Sequence, residues 1–258
     1  MKLSVVTITF NNLDELRTTL GSLPNIPQVE SVVINGGSCE KTKAYLSEHR
    51  DIVSVSEPDH GISDAFNKGY AASHGELVTF LNSGDQLIDP NYYPFAMEYL
   101  SNHPEMDFVS ADITFAHPTL GKILVKPNSD VAKTPYPHPS LIVRRKVFEM
   151  VGGFDRDLKI AMDFDFMCKM VQQKFKGFYY EKNPVVLMDG SGVSSTRGFK
   201  AISERRQILN KYKLSNAHTE YYFWQLRVKM HGRNLLERAG LLKLYDHIKY
   251  MFVKPRAE

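Results

Sequence analysis

The chain has 258 residues, 43% hydrophobic and 24% charged, a composition typical of a globular protein with a sizeable core. Its formal net charge of +3 argues against a general binder of nucleic acid. No stretch reaches the roughly 18 to 20 apolar residues of a membrane span, and the short apolar start does not predict a signal peptide.

Strand and helix patterns alternate through the first 82 residues. β-Branched and apolar runs predict strands, and apolar residues at helical spacing predict helices between them. The predicted strands are residues 3–10, 29–35, 52–56 and 76–82, with helices after Asn12, after Ser38 and over 62–74. Such short connections predict a parallel sheet flanked by helices, with ligands beyond the carboxyl ends of its strands.

The pattern after residue 90 is more mixed, and the chain ends in a basic helical region. The predicted strands are residues 106–115, 122–126 and 140–143 and one or two within 178–188, with helices over 144–154 and from Asp163. Residues 200–258 contain 13 Lys and Arg against 5 Asp and Glu. Leu241, Tyr245, Ile248 and Phe252 form an apolar stripe there, which indicates either a membrane-surface helix or one packed on the core.

Polar residues follow the second and third strands. Asn35 ends strand two, where it either closes a glycine turn or presents an amide to the edge of a pyrimidine. Asp64 begins the next helix, where it either favours the helix dipole or binds a sugar hydroxyl. Both alternatives stay open on the residues alone.

Two further segments carry groups suited to proton transfer. Asp163 and Asp165 in MDFDF would point roughly 160° apart on a helix, so we do not expect them to act as a pair. Asp163 is therefore either a helix N-cap or a general base, since apolar surroundings strengthen a carboxylate as a base. His138 stands between two prolines in YPHPS, a rigid turn that presents an imidazole or is merely structural.

Five segments, taken in order, resemble those of family 2 glycosyltransferases, in particular the small bacterial branch that builds capsule, colanic-acid-type and O-antigen polysaccharides. The segments are SVVTITFNN, VINGGSCEKT, SEPDHGISDAFNKG, GELVTFLNSGD and IAMDFDFM. The resemblance covers about residues 2–195. It implies a GT-A fold, a nucleotide-sugar donor (first of all a UDP-sugar) and transfer to an acceptor hydroxyl with inversion, as in a hexosyltransferase.

The resemblance also assigns roles to residues. Thr9, Phe10 and Asn11 match the first-strand motif, in which an aromatic ring stacks on the base. Asn35 stands where the family usually has a base-contacting Asp, and Asp64 is assigned to the nucleotide as well. Asp163 matches the catalytic base.

The family's D-x-D-D segment aligns with Asn82-Ser83-Gly84-Asp85, which keeps only its last carboxylate. Asp85 is therefore the candidate ligand of a divalent Mn or Mg, which would share the donor's diphosphate. Without metal, His60, Lys68 or a C-terminal cation would neutralise the diphosphate. His138 is a further candidate for contact with the acceptor or the diphosphate. The Met188-Asp189-Gly190 turn is a weaker candidate for further ligands.

We expect a catalytic domain over residues 1–196, with a nucleotide-sugar half (about 1–90) and an acceptor half (about 91–196), followed by a basic helical region over 197–258. The acceptor would be a glycan, in the first place a lipid-linked one.

Cys39 and Cys168 suggest no disulfide, which favours a cytoplasmic protein, peripheral to the inner membrane if the tail binds lipid. A non-catalytic nucleotide-sugar or glycan-binding protein and a sugar nucleotidyltransferase are the alternatives.

Overall fold

The N-terminal half alternates strands and helices in this computed structural model, which describes residues 1–117, 121–190 and 198–241. Its elements are β1 (Leu3–Thr9), α1 (Leu13–Ser22), β2 (Val29–Asn35), α2 (Glu40–Glu48), β3 (Val53–Ser56), α3 (Ile62–Ala72) and β4 (Leu77–Phe80). Asn12 caps α1, since its Oδ1 accepts the Glu15 N–H at 3.2 Å. The predicted elements are thus present within a few residues of their expected bounds.

The second half adds shorter strands and the C-terminal helices. They are β5 (Gln86–Leu87), α4 (Tyr92–Asn102), β6 (Phe108–Ala111), β7 (Ile113–His117), β8 (Gly121–Val125), a 3-10 turn (His138–Ser140), β9 (Ile142–Arg144), α5 (Arg145–Val151), α6 (Met162–Gln172), β10 (Gly177–Tyr180), β11 (Val186–Asp189), α7 (Gly198–Lys211) and α8 (Ala217–Arg238).

Two sheets are present within the described residues. The larger has seven strands in the order β10-β6-β9-β4-β1-β2-β3. Its strands pair in parallel except β9, which is antiparallel to β4 and β6. The smaller has the order β5-β11-β7-β8. Because β1 to β4 run in parallel, their carboxyl ends meet at one edge, and β5 and β11 lie beside that edge.

Four details differ from the sequence predictions. The single strand expected over 106–115 is interrupted at Asp112, and its two parts, β6 and β7, belong to different sheets. Helix α4 was not predicted, although Tyr92, Tyr93, Ala96 and Leu100 bury one of its faces. Helix α2 begins at Glu40, with Cys39 as its N-cap, one residue later than the predicted start after Ser38. The N-cap of α6 is Ala161, so Asp163 lies inside the first helical turn and is not the cap.

The C-terminal helices pack on α6 through a separate apolar cluster. Phe164 and Cys168 of α6 meet residues of α7 and α8 there, among them Leu209 and Phe223. Of the predicted apolar stripe, Leu241 is described, whereas Tyr245, Ile248 and Phe252 lie outside the described residues. In the part of the chain that the structure describes, no helix combines the length and apolarity that crossing a bilayer requires.

Candidate active site

A cleft of about 450 Å3 opens beyond the carboxyl ends of β1 and β4. Its walls come from the ends of these strands, the start of α1, the loop before α3, the start of α6 and the end of β11. Its polar lining consists of Thr9, Asn12, Glu15, Asp59, Asn82, Ser83, Asp85, His138, Asp163 and Asp189. Of the predicted site residues, Thr9, Phe10, Asp85, His138 and Asp163 therefore meet in one cleft.

Phe10 and Thr9 form the cleft wall at the end of β1. The Phe10 side chain is 68% exposed, which is unusual for a large apolar ring. Thr9 is buried, and its Oγ1 donates to the Asn12 carbonyl at 3.2 Å. A rigid strand end thus presents a free aromatic face, a surface on which a planar base can stack.

Asn11 and Asn35 shape the loops behind this wall rather than line the cleft. Asn11 adopts φ 56°, and its Oδ1 accepts the Cys39 N–H at 2.9 Å. Asn35 is fully buried; its Oδ1 accepts the Gly37 N–H at 3.2 Å, and its Nδ2 donates to Ser56 Oγ at 3.3 Å. Both side chains tie neighbouring strand ends together.

Asp64 and His60 likewise lie outside the cleft lining. The buried Asp64 carboxylate accepts the His60 N–H at 3.1 Å and lies 3.4 Å from Lys68 Nζ and 3.3 Å from Arg156 Nη2. That N–H donor and the two cations hold the pKa of the Asp64 carboxyl below its ordinary value. Lys68 also pairs with Glu57 at 2.8 Å, so its charge is engaged in this loop. The nucleotide contact of Asp64 stays a prediction, and in this structure the carboxylate is engaged by His60, Lys68 and Arg156.

Asp59 brings a carboxylate from this loop to the cleft lining, and the sequence analysis did not select it. Its Oδ1 accepts the Gly61 N–H at 3.0 Å. Its Oδ2 would lie 1.7 Å from a Cβ at position 36, so a larger residue there would displace the Asp59 carboxylate from this position. The paired glycines after β2 were the available signal, because they mark a place of close approach.

The loop over residues 82–85 is anchored on two sides. Thr19 of α1 accepts the Gly84 N–H at 2.9 Å and donates to the Asn82 carbonyl at 3.2 Å. The Asp85 carboxylate accepts the Asn82 N–H at 3.2 Å and the Asp189 N–H, from the end of β11, at 2.8 Å. Asp85 therefore fixes the loop in addition to facing the cleft.

Gly84 stands at a position where the resemblance predicts a carboxylate, and its backbone conformation suits glycine. Its backbone has φ 101°, in the region that side chains rarely adopt. A Cβ there would lie 3.3 Å from Asp189 Cβ and 3.6 Å from Glu15 Oε2. Carboxylates from α1 and β11 thus flank the position at which the family usually has an aspartate.

These carboxylates give the loop end of the cleft a negative character. Burial raises the pKa of the Asp85 carboxyl to about 7; its two backbone N–H donors oppose this, and the Asp189 and Glu15 charges add to it. Among residues 1–117, 121–190 and 198–241, no three His, Cys, Asp or Glu side chains converge as a complete metal site would. Oxygen donors of this kind fit a hard cation that takes its remaining ligands from a diphosphate and water.

Asp163 and Asp165 point to different sides of α6, as the helical reading of MDFDF predicts. Asp163 is half-buried and lines the cleft, and its Oδ1 accepts the Phe164 N–H at 2.7 Å. Asp165 is fully buried, 2.9 Å from Lys169 Nζ, and accepts the Tyr212 hydroxyl at 2.8 Å. Only Asp163 of this pair is available to a ligand in the cleft.

Helix α7 holds the start of α6 in place. The Glu204 carboxylate accepts the backbone N–H groups of Ile160 and Ala161 at 2.9 Å each. Arg205 stacks over the Phe164 ring, 4.4 Å from its centroid. Because Ile160, Ala161 and Phe164 lie within three residues of Asp163 along the chain, the C-terminal region takes part in orienting the candidate base.

His138 lies in an aromatic box at the floor of the cleft. Its ring packs against Phe66, Phe80 and Phe154 with centroid distances of 5.7, 5.9 and 5.9 Å. Burial lowers the pKa of His138, and the nearby Asp163 charge only opposes this. Its Nε2 is buried without a hydrogen-bond partner in the described residues. A neutral imidazole suits a hydrogen bond to an acceptor hydroxyl better than it suits neutralising a diphosphate.

Replacing His138 by Phe tests this placement. We expect the variant to keep its melting temperature within a few degrees, because an aromatic ring still fills the box, and to raise KM for the acceptor about tenfold. Initial rates at varied acceptor and donor concentrations measure the effect. An unchanged acceptor KM would make His138 a packing residue only.

Comparison with solved structures identifies the fold. S. aureus TarS 1-349 in complex with UDP-GlcNAc matches with a TM-score of 0.65 at 16% identity, over 88% of this chain and 71% of that chain. Mannosyltransferase PcManGT from Pyrobaculum calidifontis, in complex with GDP-Man and Mn2+, matches with a TM-score of 0.61 at 18% identity, over 98% of this chain and 88% of that chain. The predicted GT-A-type α/β fold, a mostly parallel sheet flanked by helices, is confirmed.

The class of the protein, a glycosyltransferase, comes from sequence comparison with families and relatives. The family model of Glycosyl transferase family 2 matches residues 4–154. An uncharacterized glycosyltransferase of Mycobacterium tuberculosis is 33% identical over 185 residues, which are 64% of this chain and 67% of the relative. The chain belongs to glycosyl transferase family 2.

Proposed function

We propose that the protein transfers a sugar from a nucleotide-sugar, in the first place a UDP-sugar, to a hydroxyl of a glycan acceptor with inversion at the anomeric carbon. The observation that carries the proposal is the split of MDFDF into one carboxylate in the cleft, Asp163, and one buried elsewhere, Asp165. Asp163 would supply the one base that a direct displacement requires, while Glu15, Asp85 and Asp189 are grouped at the loop end of the cleft.

The roles of the remaining residues follow from their places in the cleft. The nucleoside would stack on Phe10 beside Thr9, and the diphosphate would lie over residues 82–85. Asp163 would accept the proton of the acceptor hydroxyl as its oxygen attacks the anomeric carbon and the bond to the nucleoside diphosphate breaks. His138 would hold the acceptor.

A divalent cation, Mn or Mg, belongs to this proposal. Asp85 is the residue that would hold it, with Asp189 and Glu15 adding negative charge nearby. When bound, the cation would neutralise the charge that develops on the departing diphosphate. The support is the oxygen-rich loop end of the cleft together with the GT-A relative that was solved with Mn2+.

The acceptor and the cellular setting are inferred more indirectly. The sequence resemblance to the branch that builds bacterial surface polysaccharides supports a lipid-linked sugar acceptor at the cytoplasmic face of the membrane. The basic balance of residues 200–258 fits that location. We therefore assign the transfer reaction to residues 1–196, and we assign a supporting role to residues 197–258.

A screen of donors by thermal stabilisation tests the proposal. A UDP-sugar at about 100 times its Kd should raise the melting temperature by about 5 °C, and Mn should increase the shift. GDP- and dTDP-sugars serve as comparisons, and Phe10→Ala should lose most of the shift because it removes the stacking ring. A donor that stabilises the protein is then incubated with glycan acceptors. If no nucleotide-sugar stabilises the protein, or the product keeps the donor's anomeric configuration, the proposal is wrong.

A further inference from the structure

Helix α8 has an apolar stripe on its outer face, defined by Tyr221, Trp224, Val228 and Leu235. These side chains are 57, 59, 50 and 66% exposed, respectively. Their spacing of three, four and seven residues places them within an arc of roughly 60° on the helix surface and along roughly 21 Å of its length. Four large apolar groups in one row differ from the scattered exposed residues that any surface has.

The stripe is a second apolar face of α8, additional to the one that holds the helix on the protein. Phe223 is buried, and Leu226 and Met230 pack with it against the cluster shared with α6 and α7. These three residues lie roughly opposite the stripe on the helix. The fold of the C-terminal region is therefore explained without the stripe, which remains available for a partner.

The side chains of the stripe are those that favour the boundary of a bilayer. Tyr221 and Trp224 are stacked, with centroids 5.8 Å apart and planes at 18°. Rings with a polar atom at one end are enriched where hydrocarbon meets lipid headgroups. Val228 and Leu235 continue the row as purely apolar groups.

Cationic side chains border the stripe. Arg227 and Arg238 lie along one side and Lys229 along the other by their helical positions, and all three are exposed. Glu220, an acidic residue on the same helix, is paired with Arg206 at 2.7 Å. An apolar row with interfacial rings between cations complements an anionic lipid surface.

We infer that the outer face of α8 docks the protein onto an anionic bilayer, with the stripe entering the headgroup boundary and Arg227, Lys229 and Arg238 meeting lipid phosphates. The inference concerns a surface separate from the cleft and does not depend on the transfer chemistry. It does identify where an enzyme acting on a lipid-linked acceptor would contact its membrane.

The chain offers a direct probe, because Trp224 is its one tryptophan. Emission of the full chain is recorded with vesicles of phosphatidylcholine alone and with vesicles that also contain phosphatidylglycerol. We expect a shift to shorter wavelength and quenching by brominated lipid with the anionic vesicles, and little change with the neutral ones. Without lipid, Trp224 should be readily quenched by acrylamide.

Two variants separate the apolar and the charged contributions. Val228→Asp with Leu235→Asp should abolish vesicle binding, and their exposure predicts an unchanged melting temperature. Arg227→Gln with Lys229→Gln should weaken binding about 25-fold, at about fivefold for each cation removed. Lys122→Gln with Lys176→Gln makes the same charge change away from α8 and should weaken binding far less.

Three results would overturn the inference. The first is an emission spectrum unchanged by anionic vesicles. The second is a Trp224 that acrylamide cannot reach in the absence of lipid, which would mean that residues 242–258 cover the stripe. The third is a dimer in light scattering that the double Asp variant converts to a monomer. Transfer to a soluble acceptor is measured in parallel, so a failure of lipid binding is distinguished from a failure of the proposed function.

Discussion

Replacing Asp163 by Asn should lower kcat by about 100- to 10,000-fold, the contribution typical of a general base. The amide cannot take the acceptor's proton but has nearly the same size, and its oxygen can still accept the Phe164 N–H. Asp163 lies at the start of α6, whereas Phe10, the proposed stacking surface for the donor's base, lies at the end of β1. Because the two are on different elements, the Kd of the donor should stay within about twofold of the wild-type value. Initial rates and calorimetric donor titrations measure the two quantities.

Asp165 provides the matched control two residues further along the same helix. Asp165→Asn removes the buried carboxylate that pairs with the part-buried Lys169 and accepts the Tyr212 hydroxyl, so the free energy of unfolding should fall by about 3 kcal/mol. Its effect on kcat at a temperature where the variant is folded should be small. If Asp163→Asn kept full activity, or Asp165→Asn lost activity without losing stability, the assignment of the base would be wrong.

The location of the cleft could be predicted from the sequence because it follows from periodicity. The apolar runs of β1, β2 and β4 and the helical spacing of α1 and α3 determine a parallel sheet, and a parallel sheet determines where its carboxyl ends meet. The opposite directions of Asp163 and Asp165 follow from the rise and turn of a helix in the same way. These predictions use only the local periodicity of the sequence and do not require knowing which residues from elsewhere in the chain lie nearby.

The loop residues of the cleft could not be predicted as well. Asn35 and Asp64 have the chemistry of ligand contacts, yet Gly37, Ser56, Lys68 and Arg156 use their polar atoms within the protein. Asp59, by contrast, reaches the cleft. The side chain of a polar residue after a strand can either face a ligand site or hydrogen-bond within the protein. Which of the two occurs depends on neighbours that the fold brings from elsewhere in the chain.

The acidic end of the cleft shows the same limitation. The sequence directs attention to residues 82–85 and, more weakly, to Asp189, and the structure places Asp189 beside Gly84. Glu15 flanks Gly84 from α1 as well, and its separation along the chain hides that grouping. Likewise, Glu204 stabilises the start of α6 from a region that the sequence assigns to a separate extension.

When the Mn concentration is limiting, replacing Asp85 by Asn should lower activity by at least about 10- to 100-fold. A loss of that size is typical even of residues that contact a metal's ligands rather than the metal itself. The substitution removes the charge that would face the cation. The measurement is the Mn concentration for half-maximal transfer, after wild-type protein treated with EDTA has been shown to lose activity and regain it with Mn. Asp89→Asn makes the same change four residues further along, outside the cleft lining, and should leave the Mn dependence unchanged.

The double role of Asp85 requires one further comparison. Its carboxylate also accepts the Asn82 and Asp189 N–H groups, so Asp85→Asn could act by releasing the loop. A variant that has only lost cation affinity regains activity at high Mn and keeps its melting temperature, whereas a released loop loses donor affinity at every Mn concentration. Asp189→Asn leaves the backbone N–H in place and should raise the Mn requirement without releasing the loop. An unchanged Mn requirement in both variants would mean that Asp85 serves the turn alone, because two carboxylates beside the same cation cannot both be neutralised without effect.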